Sequence, residues 1–244
     1  NIMILSKKFK RNNRRRTKKH TKNFNEMRNT RNSYISNSFS EENKLINENN
    51  LSPEELGFGS ILDDYLLGFA GRNIYEFSSG YDVIDYSYLP SNITLVRGGT
   101  VNKGLLGTDT FLDFYDKIIA TNNSNDWIDG LSNGGFIADL EINLSKNLLS
   151  INNLPGIGSI SSEIEKFENL SGTNNADSLI GDSSNNTILG NAGDDFLFGK
   201  KGNDIIAGDS GNDLIQGGMG GDILTGGQGA DTFIYKKNKD SKFT

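Results

Sequence analysis

From Gly172 to Ile234 the chain repeats itself every nine residues, seven times in succession and without an insertion: GTNNADSLI, GDSSNNTIL, GNAGDDFLF, GKKGNDIIA, GDSGNDLIQ, GGMGGDILT and GGQGADTFI. Position 1 is Gly in every copy. Position 4 is Gly193, Gly202, Gly211, Gly220 and Gly229, with Asn175 and Ser184 in the first two copies. Position 6 runs Asp177, Asn186, Asp195, Asp204, Asp213, Asp222 and Asp231, and position 8 runs Leu179, Ile188, Leu197, Ile206, Ile215, Leu224 and Phe233. One repeat of this length cannot bury its single large apolar side chain alone, so the copies must stack on one another. A solvated Gly/Asp-rich linker has no reason to place an apolar residue at every ninth position.

The same register returns in weaker form between Gly59 and Asp85 (GSILDDYLL, GFAGRNIYE, FSSGYDVID), with Asp64, Asn73 and Asp82 at position 6. A lone copy, TNNSNDWID, spans Thr121–Asp129 and carries Asp126 there. ITLV at 93–96 and FIADLEINL at 136–144 alternate like strands. Ser52-Pro53-Glu54-Glu55 has the make-up of a helix start. The chain therefore divides into a basic Asn-rich tail (1–50), a degenerate repeat and β region (51–171) and the full array with its C-terminal extension (172–244).

Charge follows the same division. Residues 1–50 hold 13 Lys and Arg against 4 Asp and Glu, which leaves 12 against 27 for the rest of the chain. The tail has too few large apolar residues to offset its ordering entropy, and disorder is the expectation. It also lacks interleaved aromatics or a folded recognition motif, so no nucleic-acid partner is expected. With 34% hydrophobic residues and 29 Gly, a conventional layered core is not expected. No Cys is present, and His20, in the tail, is the one His. Two-His zinc proteases and Ser-His-Asp hydrolases are therefore not expected of this chain, and it reads as no enzyme. No apolar run reaches the roughly 20 residues that a transmembrane helix needs, and no apolar stretch follows the basic N-terminus to make a signal peptide.

The nonapeptides resemble the G-G-x-G-x-D-x-U-x motif of the repeats-in-toxin (hemolysin-type) calcium-binding proteins, where U is a large apolar residue. Gly229–Tyr235 (GADTFIY) further resembles the closing repeat of serralysin-like C-terminal domains. The resemblance implies an all-β fold, a right-handed parallel β-roll of the β-helix-type solenoid class. In it the first six residues of each repeat turn around calcium and the last three form a strand. Two repeats make one coil, so residue n stacks under n+18. Gly at positions 1 and 4 then supplies positive φ, position 6 a hard carboxylate oxygen, and position 8 an inward side chain between outward positions 7 and 9.

That reading implies several calcium ions. Their expected ligands are Asp177, Asn186, Asp195, Asp204, Asp213, Asp222 and Asp231, with the backbone carbonyls of Gly193, Gly202, Gly211, Gly220 and Gly229. Asp64, Asp82 and Asp126 are the weaker metal candidates. The expected function is calcium binding by a calcium-dependent folding and secretion module, extracellular and exported without a signal peptide. The chain opens on Asn1 and reads as a piece of a longer protein or as a reading frame with a misplaced start, Met3 being the nearest candidate. On the first reading a covalently attached domain is its expected partner besides calcium. The alternatives are the non-catalytic part of a secreted metalloprotease or lipase, or a piece of an adhesin.

Overall fold

The computed structural model describes residues 54–58, 63–68, 70–76, 80–96, 100–111, 115–131, 139–154 and 158–235. The basic tail expected to be disordered lies outside them. The described residues form two ten-stranded sheets, largely parallel, with no α-helix and two single 3-10 turns among them. Successive repeats alternate between the sheets. Asn169–Ser171, Thr187–Ala192, Ile205–Ser210 and Ile223–Gln228 lie side by side in the first. Ser178–Ile180, Phe196–Lys201, Leu214–Met219 and Thr232–Phe233 do so in the second. Residue n pairs with n+18 throughout: Ile188 stands opposite Ile206, and Leu197 opposite Ile215. The fold is the all-β parallel roll expected from the repeats.

Position 8 fills the interior. Leu179, Ile188, Leu197, Ile206 and Ile215 are completely buried, each contributing roughly 1.5–3 kcal/mol. Positions 7 and 9 face outward, and Ile205 and Ile223, at position 7, are 48% and 59% exposed. In the last coil Leu224 and Phe233 are only partly buried.

Two local expectations need correction. A typical strand of the array spans six residues, positions 7–9 and positions 1–3 of the next repeat, as in Phe196–Lys201, so the turn shrinks to positions 4–6. The added pairs are those of positions 2 and 3, such as Asn191 with Asp209 and Ala192 with Ser210, while position 1 is skipped. Positive φ falls at position 4 as expected, but also at position 2 and not at position 1. Asn191, Lys200, Asp209, Gly218 and Gly227 have φ between 71° and 115°. Glycine at position 1 answers to crowding instead. A Cβ on Gly208 would run into the Asp213 carboxylate and lie 2.7 Å from the Gly226 carbonyl oxygen.

The two sheets extend ahead of Gly172. Asn169–Ser171 pairs with Thr187–Leu189 on one side and with Trp127–Asp129 on the other. Further back, Tyr65 stands opposite Val83 and Glu54 opposite Arg72, again eighteen residues apart. Glu54–Phe58 is thus a strand and not the expected helix start, because pairing with Arg72–Glu76 outweighs a local capping preference. Each sheet also takes in an antiparallel meander. Thr94–Val96, Thr100–Asn102 and Thr108–Phe111 form the first, and Asp139–Asn143, Leu148–Leu154 and Gly158–Glu165 the second. Their outer strands keep the parallel direction toward the neighbouring coils and only the middle strand is reversed.

The two stretches differ in what they bury. Ahead of Gly172 the interior includes Tyr75, Tyr86, Phe111 and Phe167. The Phe111 ring lies 5.7 Å from that of Tyr75 and 5.0 Å from that of Tyr115, centroid to centroid. The array buries single aliphatic side chains between glycine-rich turns.

These contacts separate two glycines. Gly208→Ala is expected to cost about 1–3 kcal/mol or more, because a backbone oxygen cannot move aside. Gly221→Ala is expected to stay within about 0.5 kcal/mol, since Asn185 and Asn203 occupy the matching position 5 on the same edge. Thermal melts in calcium measure both, and equal shifts would contradict the crowding at position 1.

Candidate metal centre

The alternation of repeats puts the position-6 residues in two rows, one along each edge of the roll. Asp177, Asp195, Asp213 and Asp231 precede strands of the second sheet; Asn186, Asp204 and Asp222 precede strands of the first. Within a row each carboxylate is tied to the coil before it. Asp195 Oδ1 accepts from the Asp177 N–H at 2.8 Å, Asp213 Oδ1 from Asp195 N–H at 2.9 Å, and Asp231 Oδ1 from Asp213 N–H at 3.1 Å. On the other edge Asp204 Oδ1 accepts from Asn186 N–H at 2.8 Å and Asp222 Oδ1 from Asp204 N–H at 2.9 Å.

The second oxygen sets three of these residues apart. Oδ2 of Asp195, Asp204 and Asp213 is buried and has no hydrogen-bond partner. A buried acceptor left in this state costs free energy unless something else satisfies it. Each such oxygen lies over the Cβ-free face of the Gly at position 1 of its own repeat. The position-1 carbonyl of the next coil approaches the same face. For Gly190 these neighbours are Asp195 Oδ2 and Gly208 O; for Gly199, Asp204 Oδ2 and Gly217 O; for Gly208, Asp213 Oδ2 and Gly226 O. No three His, Cys, Asp or Glu side chains converge among the described residues, so a metal held here must draw on the backbone. Carboxylate and carbonyl oxygens with no nitrogen or sulfur donor form the set that calcium prefers and zinc does not. The residues fit the ion.

The position-4 carbonyls singled out in the sequence turn toward the coil that follows. Those of Gly193, Gly202 and Gly211 lie against the α-carbons of Gly211, Gly220 and Gly229. The position-1 carbonyls of Gly208, Gly217 and Gly226 escaped the sequence reading. The invariance of Gly at position 1 was the available signal, and it was assigned to φ.

Several other position-6 residues already have partners. Asp177 Oδ2 accepts from Thr173 N–H at 2.5 Å and Thr173 Oγ1 at 3.0 Å, and Asp177 Oδ1 from Leu140 N–H at 2.6 Å. Asp177 therefore does not end its row, because the meander strand Asp139–Asn143 continues it. Asn186 Oδ1 accepts from Asp182 N–H at 3.0 Å, and its Nδ2 donates to the Glu168 carbonyl at 2.8 Å. Asp126 is filled by Ile93 N–H, Thr121 N–H and the Thr121 hydroxyl. Asp82 Oδ1 accepts from Asp64 N–H at 3.0 Å, which repeats the row's pattern near the N-terminal end.

A second row at position 5 was not read from the sequence. Asn185 Oδ1 accepts from Asn203 N–H, Asn203 Oδ1 from Gly221 N–H, Asp194 Oδ1 from Asn212 N–H and Asn212 Oδ1 from Ala230 N–H, at 2.7–2.9 Å. It runs opposite to the first: the position-5 oxygen reaches the coil after it, the position-6 oxygen the coil before. Asp63 and Tyr81 repeat it at 2.9 Å.

Burial raises the Asp195 and Asp204 carboxyls to about 7, with Asp177 and Asp213 adding to the rise at Asp195 and Asp222 adding to it at Asp204; it also raises Asp213. A carboxyl raised above its unfolded value stabilises the folded state when protonated. That contribution is complete below the ordinary carboxylate range and is lost as pH rises through about 7. In chelator the array is therefore expected to gain β-structure and melt higher at about pH 5 than at about pH 8. Circular dichroism reads this, and a chelated array melting lower in acid would contradict the burial of these carboxyls.

The family model of the RTX calcium-binding nonapeptide repeat matches residues 171–206 and again 198–233. No curated protein matches the chain. The matched stretch coincides with the seven repeats and takes in all three orphaned carboxylates. The chain carries an array of RTX calcium-binding nonapeptide repeats, wound as a parallel β-roll, and the ligand of that array is calcium, bound as several ions.

Proposed function

We propose that the chain is a calcium-dependent folding and secretion module of an extracellular protein, a non-catalytic stretch attached to a domain that carries the activity. The observation behind this reading is the set of buried, partnerless oxygens on Asp195, Asp204 and Asp213. Without a cation those carboxylates oppose the roll; with calcium they hold successive coils together. The position-1 carbonyls of Gly208, Gly217 and Gly226 complete the set, with Asp222 and Asp231 supplying the C-terminal ligands of each edge. Asp177 and Asn186, already hydrogen-bonded, contribute less, and the position-4 carbonyls, which face the coil that follows, stand as further candidates.

Because the ion binds the folded turns and not the unfolded chain, folding follows calcium concentration. Where free calcium is low, inside a producing cell, the array stays open enough to be exported. Where it is millimolar, outside, the array winds up. No helix among the described residues is long and apolar enough to cross a membrane.

Circular dichroism through a calcium titration tests the switch: β-structure should rise with calcium and fall on chelation, with magnesium a poor substitute because it demands tight octahedral geometry. A chelated spectrum identical to the calcium-loaded one would sink the proposal. Asp213→Asn keeps Oδ1 as acceptor for Asp195 N–H and removes the charge. It is expected to raise the calcium midpoint by about tenfold, ~1.4 kcal/mol, without weakening the chelated form. An unmoved midpoint would remove Asp213 from the ligand set.

A further inference from the structure

One turn ahead of the array holds a cation of its own. Residues 104–112 read GLLGTDTFL, a copy of the repeat whose strand closes the first meander, with Asp109 at position 6 and the buried Phe111 at position 8. Gly107 occupies position 4. Its φ is 103°, and a Cβ there would meet the Gly71 carbonyl, as one on Gly211 would meet that of Gly193. Asp109 pairs in register with Asn73, position 6 of the coil beneath. Gly104 at position 1 differs, lying in a 3-10 turn at φ 61° with nothing against its Cβ-free face. Positions 4, 6 and 8 stack as in the array, where Asp195, Asp204 and Asp213 are left with an orphaned oxygen.

Asp109 has none. Its Oδ1 accepts from Asn73 Nδ2 at 2.7 Å and forms an ion pair with the Lys103 ammonium, and its Oδ2 accepts from the Tyr86 hydroxyl at 2.8 Å. The Lys103 and Asp109 side chains are both 0% exposed. The lysine is fixed from behind: its N–H donates to the Gly107 carbonyl at 2.9 Å, and its carbonyl accepts from Leu106 N–H at 3.2 Å. Burial pushes the Lys103 ammonium down and the Asp109 carboxyl up, and their contact opposes both shifts. A buried ion pair is weak evidence of stability in itself. Here the informative fact is its place, at position 6 of a repeat turn.

We infer that Lys103 is a tethered cation, doing at the Asn73–Asp109 turn what calcium does in the array, so that the coils ahead of Gly172 close without calcium and give the array a folded end to stack on. The aromatic interior around Tyr75, Phe111 and Tyr115 supports this, since that stretch packs large rings where the array packs single aliphatic side chains. The inference rests on the calcium reading of the array.

Hydrogen–deuterium exchange on the full chain, in chelator and in millimolar calcium, tests it. The amides of 72–76 and 108–111 are expected to stay protected in both media, and those of 187–228 only in calcium. An array indifferent to calcium would defeat the functional reading above. Loss of 72–76 and 108–111 in chelator together with the array would defeat this inference alone. In Lys103→Gln, protection at 72–76 and 108–111 should be lost in chelator and regained in calcium, the ion entering where the ammonium was. Protection retained in chelator, or not regained in calcium, would overturn the assignment. The uncharged pair Lys103→Gln with Asp109→Asn should stay protected in both media. A calcium response there would place the ion elsewhere, and loss in both media would make the lysine's packing rather than its charge the contribution; either result overturns it.

Discussion

Every coil of the array is held to its neighbour by a carboxylate accepting a backbone N–H from the coil before it. The arrangement is demanding, because it brings like charges close together in a buried row. Coils in a sheet lie about 4.8 Å apart, and two bare carboxylates at that separation repel by roughly 1 kcal/mol in water and roughly 3 at an effective dielectric of 20. Oδ1 is compensated by its hydrogen bond; Oδ2 of Asp195, Asp204 and Asp213 is not. The stitch that sets the n+18 register therefore makes the metal-free roll costly, and the glycines that let the stitch form leave little apolar surface to offset it.

Three parts of the molecule meet this difficulty in different ways. Asp177 and Asp126 are closed by nearby threonines, Thr173 and Thr121. Asn186 replaces the charge with an amide that both donates and accepts. Asp109 meets a lysine. All four lie outside the run from Asp195 to Asp213, where no protein donor reaches the second oxygen. The buried carboxylate oxygens without a donor are thus concentrated in a few consecutive coils, and the stretch before them has an aromatic interior.

The period of nine made most of this legible. Side-chain type and spacing marked positions 6 and 8, and the resemblance to the repeats-in-toxin motif supplied the two repeats per coil that turn them into rows, interior and register. What stayed hidden depends on backbone paths. Left-handed φ at Asn191, Lys200 and Asp209 has no side-chain signature, so the strands were read as three residues long instead of six. The position-5 ladder uses Asn and Asp, common in any turn, and nothing in their spacing says which coil they face. GLLGTDTFL satisfies the pattern at positions 1, 4, 6 and 8 and even keeps the nine-residue phase of Gly59–Asp85, but its strand closes the first meander, and the residues between the two stretches hold no recognisable copy. Lys103 precedes it as one lysine among many, and only the folded turn brings it to Asp109.

The opposed ladders at positions 5 and 6 have a consequence for how such a chain changes over generations. Where Asn185, Asp194, Asn203 or Asn212 fills position 5, a coil offers the next an oxygen there and an N–H at position 6, and receives the complementary pair in return. Its two faces therefore match those of the other such coils on the same edge. Removing or duplicating eighteen residues restores all four kinds of contact across the joint, whereas a change of nine swaps the edges and sheets of everything beyond it. Array length is free to drift in whole coils, and the coil, not the nonapeptide, is the interchangeable part.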